Sequence, residues 1–198
     1  MDYQAKLKTP FGVLGIHCTD DALTGIEFLA PNTKPLSPRS AIACKACEQL
    51  SAYLADPDFC FDLPLQPGGT EHQNKVWNAM RAIPRGQAQT YGNLAAQLGS
   101  SPRAVGQACG NNPLPIVIPC HRVVSKSGMG GFMHHSGGYA LDIKRWLLAH
   151  EQATPSPLHP QGVGRGCIAA EAATTTHQGE GWGGGRSVEL RPPVNRGK

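Results

Sequence analysis

The sequence has no apolar run long enough to cross a lipid bilayer, which takes about 20 residues. The N-terminal segment MDYQAKLKTPFG also lacks the pattern of a secretory signal, in which basic residues precede an apolar stretch. These two absences argue against a membrane-spanning or exported protein. They predict a location in the cytoplasm, or in the nucleus if the cell is eukaryotic.

The cysteines do not form a recognisable disulfide framework. There are seven of them, an odd number at irregular spacing, which favours a reducing compartment. A zinc site is one alternative, with Cys18, Cys44, Cys47 and Cys60 as its ligands. Buried thiols are the preferred interpretation, because Cys47 lies on the apolar stripe of a predicted helix and no histidine follows at zinc-finger spacing. We therefore expect no metal.

Charge is distributed unevenly, although the total is only +4. Residues 1–68 carry five Lys and Arg against eight Asp and Glu, whereas residues 69–151 carry eight against three. A basic segment of this kind suits a polyanion such as DNA. A solvated basic surface without a nucleic-acid partner is the alternative that charge alone leaves open.

The first part of the chain has the pattern of a small sheet with a helix. Alternating apolar residues predict strands near residues 3–7, 13–17 and 23–29, and a fourth strand over residues 59–65. Helical spacing predicts a helix over residues 41–54. The apolar stripe of this helix is expected to comprise Ala43, Cys47, Leu50 and Leu54.

The second part is mainly helical, after a break at LQPGGT. Helices are predicted over residues 71–83, 91–98, 101–110 and 139–151, the third with Pro102 in its first turn. The second and third of these form a helix-turn-helix pattern. The predicted domains are an N-terminal α/β domain over residues 1–66 and a DNA-binding domain over residues 69–153. A glycine-rich and proline-rich tail over residues 154–198 is predicted to be disordered.

The segment IPCHRVV carries the clearest chemical signal. A free cysteine with a pKa of about 8.5 is mostly protonated at neutral pH, and an adjacent imidazole can take its proton. Cys120 and His121 are neighbours, so both side chains can work together only if Pro119 introduces a turn. Glu151, at the end of LLAHE, is a candidate carboxylate to orient His121.

The motifs around this segment resemble the O6-alkylguanine-DNA alkyltransferase family. NNPLPIVIPCHRVVSKSG and SGGYALDIKRWLLAHE resemble its active-site segment, and HQNKVWNAMRAIPRGQAQTYGNLAAQLGSSPRAVGQACGNNP resembles its DNA-binding segment. The similarity covers roughly residues 70–151. It implies an α/β (α+β) fold, with a ribonuclease H-like N-terminal sheet and helix followed by a winged-helix-like domain that contains the helix-turn-helix and the cysteine.

The resemblance also implies a role for individual residues. Cys120 would be the nucleophile, His121 its base through a water molecule, and Glu151 the residue that orients His121. Asn112 would brace the turn before the active-site strand, Tyr91 would help to rotate the nucleotide, and Arg103 would fill the gap left by the extruded base. The remaining residues expected to contact DNA or the alkylguanine are Ala104, Gly106, Arg122 and Ser136.

The implied reaction is a direct displacement that needs no metal or organic cofactor. Cys120 would take the alkyl group from O6-alkylguanine, or from O4-alkylthymine, in double-stranded DNA. Because the product is a thioether, each molecule, expected to be a monomer, would act once. Two departures from the family pattern concern His72, where phenylalanine is usual, and His134–His135, where a tyrosine often precedes the serine.

Two other functions remain open at the level of sequence. A non-catalytic module that binds alkylated DNA would share the helix-turn-helix, but relatives of that kind lack the cysteine. A papain-type Cys-His hydrolase would need an oxyanion hole and a histidine distant in sequence. No such elements are evident here.

Overall fold

A computed structural model describes residues 2–152 of the chain. The predicted tail over residues 154–198 lies outside the described residues. Within them the chain forms five α-helices, one short 3₁₀ helix and two small sheets. The predicted mixed α/β class is confirmed.

The first sheet is an antiparallel meander of three strands in sequence order. They are β1 (Ala5–Thr9), β2 (Gly12–Cys18) and β3 (Leu23–Leu29), close to the predicted positions. The tight turn between β1 and β2 depends on Gly12, whose φ of +117° is disfavoured for residues with a side chain.

Helix α1 (Ala41–Ala55) packs across β1 and β2. Ser40 caps it by accepting a hydrogen bond from the Ala43 amide at 3.2 Å. The buried face differs from the predicted stripe, in which Cys47 and Leu54 are only partly buried. Its members are Ala43, Ala46, Leu50 and Tyr53. Both sets have helical spacing, so periodicity alone does not distinguish them.

The strand predicted over residues 59–65 is wrong. Only Leu65 pairs, in an isolated bridge with Leu23, through hydrogen bonds from the Leu23 amide to Pro64 O and from the Gln66 amide to Leu23 O, both 2.9 Å. Apolar side chains do alternate with exposed ones here, but Pro64 has no amide hydrogen to extend a ladder. The segment therefore covers the core without joining the sheet.

The helix-turn-helix is present as predicted. Helices α2 (Glu71–Arg81), α3 (Tyr91–Gln97) and α4 (Pro102–Gly110) start at or near the expected residues, and α4 packs against both others. Thr70, Thr90 and Ser101 cap them with side-chain oxygens, and Gln73 completes a capping box at α2.

Two elements pack beside the turn at Cys120–Arg122. Strands β4 (Gln89–Thr90) and β5 (Val123–Val124) pair in parallel, which sets the start of α3 beside the segment that follows Cys120. Helix α5 (Tyr139–Gln152) then packs against the 3₁₀ turn at Cys120–Arg122. The short parallel pair was not predicted, because two residues carry no periodicity.

One apolar core extends through both halves of the chain. Helix α5 contributes Ile143 and Leu147, and its Trp146 ring lies 4.9 Å from the ring of Phe11 at the β1–β2 turn. Among the described residues, no helix combines the length and hydropathy needed to cross a membrane.

Candidate active site

Cys120 begins a single 3₁₀ turn directly after Pro119. Pro119 has φ −81° and ψ +67°, so the chain leaves the extended conformation where the sequence predicts a turn. Cys120 keeps 4% of its exposure and His121 none. The thiol and the imidazole are therefore both shielded from solvent by the fold.

A cavity of about 280 Å³ opens beside Cys120. Helix α4 forms one wall and the loop before α5 forms another, while Tyr91 lies between them. The lining residues are Tyr91, Gly106, Cys109, Gly110, Cys120 and residues 131–136, which include Ser136. Its volume is just below the range of about 300–1,000 Å³ that is typical of small-molecule sites, so the cavity fits one small group.

His121 is hydrogen-bonded to Glu151 through Nε2, at 2.9 Å from Oε1. Although burial opposes ionisation, hydrogen bonds from His121 and Arg122 hold the pKa of Glu151 well below its usual value. An ionised carboxylate only accepts hydrogen bonds, so Nε2 must donate the hydrogen. Nδ1 then has a free lone pair, and it is buried without a partner among the described residues.

Burial determines the protonation states of Cys120 and His121 before the reaction. It raises the pKa of Cys120 to about 11, although the Asn112 side chain, the Lys144 charge and the amides of Cys120 and His121 act in the opposite direction. Burial also lowers the pKa of His121, outweighing the attraction of Glu151. The resting site therefore holds a thiol and a neutral imidazole, and the imidazole is free to accept a proton.

Arg122 turns inward onto Glu151. Its Nε lies 3.0 Å from Oε2, its Nη2 lies 2.8 Å from Oε1, and its Nη1 donates to Ile83 O at 2.6 Å. The sequence predicts a DNA contact for Arg122, but a buried carboxylate requires a cationic partner and takes this guanidinium. We therefore interpret Arg122 as the counter-charge of the site.

Asn112 joins the end of α4 to the active-site segment. Its Nδ2 donates to Ile118 O at 2.7 Å, and its Oδ1 accepts from the Leu114 amide at 3.0 Å. Between these contacts Ile116 has φ +76°, a strained value for a β-branched residue. The buried amide group thus holds an irregular segment that would not keep this shape alone.

Lys144 is a site residue that the sequence did not reveal. It is fully buried, and its Nζ donates to Val123 O, Met129 O and Gly131 O at 2.7, 2.7 and 2.9 Å. Burial lowers its pKa to about 8, whereas negative charge on Cys120 would raise it. One feature of the sequence could have indicated this burial. Lys144 lies three residues before Leu147, so both side chains are on the same, inward face of α5.

The loop before α5 is hydrogen-bonded to the end of α4 through His134 and Asn111. His134 has φ +61°, and its Nε2 lies 2.8 Å from Asn111 Oδ1. A Cβ atom at Gly110 would fall 2.4 Å from the His134 ring, so only glycine lets the ring lie there. On the other side, the Tyr91 hydroxyl donates to Gly131 O at 3.3 Å. These contacts define the mouth of the cavity.

The predicted DNA-contacting residues lie along α4. Arg103 is exposed in the first turn, Ala104 is partly exposed, and a Cβ atom added at Gly106 would meet nothing within 4 Å. The exposed face of α4 next to the cavity therefore carries small side chains. His72, at the variant position, bonds Ser100 Oγ at 2.9 Å instead of packing in the core.

The zinc alternative gains no support. Cys18 and Cys47 are partly buried and Cys44 is exposed. Over residues 2–152, no group of three or more His, Cys, Asp and Glu side chains has an arrangement that could hold a metal ion.

Comparisons with known proteins agree on one family. A sequence profile for the 6-O-methylguanine DNA methyltransferase, DNA binding domain, matches residues 71–153. The methylated-DNA–protein-cysteine methyltransferase of Methanosarcina acetivorans is 37% identical over 158 residues, covering 75% of this chain and 97% of the relative.

Solved structures give the same result. The crystal structure of Mycobacterium tuberculosis O6-methylguanine methyltransferase has a TM-score of 0.66 at 33% identity, covering 78% of this chain and 95% of that chain. The structure of Mycobacterium tuberculosis OGT in complex with DNA has a TM-score of 0.63 at 34% identity, covering 75% and 91%. The resemblance inferred from the cysteine motif is confirmed: the chain belongs to the methylated-DNA–protein-cysteine methyltransferase family, which repairs DNA by transferring alkyl groups to a cysteine.

Proposed function

We propose that Cys120 is the acceptor in an irreversible transfer of the alkyl group from O6-alkylguanine, or O4-alkylthymine, in DNA. The observation that carries this proposal is the position of the Cys120 thiol at a cavity of about 280 Å³, next to the buried His121–Glu151 pair. A shielded sulfur beside a proton acceptor is what nucleophilic displacement at carbon requires.

The reaction begins with loss of the Cys120 proton. Within residues 2–152 no direct hydrogen bond reaches Nδ1 of the His121 imidazole, although the His121 amide does act on the Cys120 sulfur. In this scheme the proton passes from the thiol to Nδ1 through one water molecule. The thiolate attacks the alkyl carbon, a carbon–sulfur bond forms and the carbon–oxygen bond to O6 breaks. The guanine anion takes a proton or a hydrogen bond, and the thioether remains because water does not hydrolyse it.

Lys144 supports the anionic stage electrostatically. Its charge lowers the pKa of Cys120, and a thiolate there raises the pKa of Lys144 in return. Three carbonyl groups hold the ammonium in place before the reaction. The positive charge is therefore arranged in advance for the negative charge that develops on sulfur.

DNA docking is proposed for the exposed face of α4. A guanine O6 substituent lies within the base stack, so the nucleotide must leave the duplex, at a cost of a few kcal/mol. Arg103 then fills the gap from the minor groove, Tyr91 assists rotation, and the small residues Ala104 and Gly106 allow close approach. The carbonyl of Cys120 and the loop at Ser136 would hold the extruded base. The relative solved with DNA supports DNA as the partner.

The proposed architecture follows the family. Residues 1–66 form a ribonuclease H-like N-terminal domain, and residues 69–153 form a winged-helix-like domain that carries the helix-turn-helix. The scheme needs one chain and one damaged duplex, so the acting unit is a monomer. It works in the compartment that holds the DNA, the cytoplasm or the nucleus.

The test is the stoichiometry of transfer. The protein is incubated with excess duplex that carries O6-methylguanine with an isotope-labelled methyl group. We expect label on protein to rise to one methyl per chain and stop, with unmodified guanine left in the duplex. Label released into solution, or turnover beyond one per chain, would instead indicate a hydrolase. Lesion binding without transfer would indicate a non-catalytic module.

Arg103→Ala is expected to slow repair of duplex DNA without slowing reaction with the free base O6-methylguanine. The free base needs no extrusion from a stack, so only the duplex reaction depends on Arg103. We expect a decrease of about 10-fold or more for the duplex, since unstacking a base involves a few kcal/mol. Parallel single-turnover assays on the two substrates measure the ratio.

Arg81→Ala is the matched control, because Arg81 ends α2 outside the exposed face of α4. An equal loss on both substrates in Arg103→Ala would assign Arg103 to the cavity or to folding, and the extrusion role would be wrong.

A further inference from the structure

We propose that Tyr53, on helix α1 of the N-terminal half, is a positioning residue for alkyl transfer, because its hydroxyl fixes the carboxylate that orients His121. The inference rests on the proposed function, in which His121 receives the proton of Cys120. It assigns the N-terminal half a part in the chemistry in addition to its contribution to the core.

The contact itself is direct and buried. Tyr53 keeps 2% of its exposure, and its hydroxyl donates to Glu151 Oε1 at 2.9 Å across 98 positions of sequence. The same oxygen accepts from His121 Nε2 at 2.9 Å and from Arg122 Nη2 at 2.8 Å. Arg122 Nε also donates to this oxygen, at 3.3 Å. Donors from three residues leave the carboxylate little freedom to rotate, which fixes the direction of the His121 hydrogen bond.

Packing holds the Tyr53 ring so that the hydroxyl cannot swing away. Its ring centre lies 5.5 Å from that of Phe61 and 5.3 Å from that of His150, the latter edge-on. The His150 Nε2 also bonds the Tyr53 carbonyl at 2.8 Å. Burial, followed by the Glu151 charge, raises the pKa of Tyr53 far above its ordinary value, so the hydroxyl remains a donor at every working pH.

The hydroxyl also moderates the charge that His121 experiences. Each hydrogen bond donated to Glu151 partly neutralises the negative charge of the carboxylate. The charge that remains stabilises the protonated form of His121. Removing the Tyr53 donor should therefore raise the pKa of His121, so that on the acidic side of the rate profile more of the imidazole is already protonated and cannot take the Cys120 proton. Four charged or titratable groups surround His121, namely Cys120, Glu151, Arg122 and Lys144. Four surround Tyr53, namely Glu151, Arg122, Arg85 and His150.

The experiment uses Tyr53→Phe in the full chain, which removes the hydroxyl and keeps the ring. Single-turnover methyl transfer is followed from pH 5 to 9, and isotope-labelled histidine is followed by NMR over the same range. We expect the acidic limb of the rate profile and the His121 titration to move upward together, by about one pH unit. At a fixed pH on the acidic limb the rate should fall by about 10-fold, which is the effect of a shift of one pH unit.

Tyr139→Phe is the matched control. The Tyr139 hydroxyl also joins the two halves of the chain, by donating to Phe11 O, but it touches no residue of the His121–Glu151 pair. This variant should lose stability without any movement of the pH profile. If Tyr53→Phe behaves in the same way, with the His121 signals at their wild-type positions, Tyr53 is structural only and the inference is wrong.

A second substitution covers the case in which Tyr53→Phe does not fold. Incorporation of 3-fluorotyrosine at position 53 keeps the contact and makes the hydroxyl a stronger donor, so the His121 titration should move downward. No movement would overturn the inference. Absence of transfer in the wild-type protein would instead reject the proposed function, since the NMR titration does not depend on catalysis.

Discussion

Replacement of Cys120 by alanine should abolish alkyl transfer and leave DNA binding in place. The substitution removes the only atom proposed to receive the alkyl group, so no residual rate is expected beyond that of spontaneous decay. Arg103 and the exposed face of α4 are unaffected, because Cys120 lies in the interior of the cavity. The variant should therefore behave as a lesion-binding module. Label transfer and gel-shift titration with the same duplex measure the two properties.

Cys109→Ala is the control for this variant. Cys109 lines the same cavity, but burial raises its pKa to about 12 and its sulfur contacts Met80 Sδ at 3.4 Å. It lies on α4, outside the turn that carries His121. This variant should keep full stoichiometry. Transfer that persists in Cys120→Ala and disappears in Cys109→Ala would show that the wrong thiol has been assigned.

Glu151→Gln should weaken both stability and catalysis. The substitution leaves the largely buried Arg122 guanidinium without its counter-charge, and breaking one side of a buried pair costs about 3–5 kcal/mol. The amide can also donate to His121 Nε2, which favours the tautomer with hydrogen on Nδ1. Nδ1 then cannot accept the cysteine proton, so we expect a rate loss of about 10²–10⁴-fold.

Urea unfolding and single-turnover kinetics measure these two effects separately. Glu48→Gln, at an exposed position of α1, provides the control and should change neither quantity. A Glu151→Gln variant that is less stable yet transfers alkyl groups at the wild-type rate would limit Glu151 to a structural role.

Much of the fold could be predicted because local patterns agreed with tertiary packing. Apolar spacing in α2 and α5, and Pro102 in the first turn of α4, mark helix positions within one or two residues. The strand predicted over residues 59–65 failed for the opposite reason. Its alternation reflects burial against the core, whereas strand formation also needs a neighbour and an amide that Pro64 lacks.

Site residues could be predicted where they belong to a recognisable motif. They could not be predicted where their role depends only on contacts made in the folded protein. Cys120, His121 and Glu151 are marked by PCHR and LLAHE. Lys144 and Tyr53 are not, because a lysine on a helix usually indicates a solvated face and a tyrosine usually indicates core packing. Their roles follow from atoms brought together across 13 to 98 residues of chain. Sequence spacing holds no such information.

Mapping the acceptor atom tests the central claim most directly. After reaction with excess duplex containing O6-methylguanine, the protein is digested and its peptides are sequenced by mass spectrometry. We predict a single methyl group, on the sulfur of Cys120, with Cys109 unmodified. Disappearance of the lesion while Cys120 stays unmethylated would contradict the account.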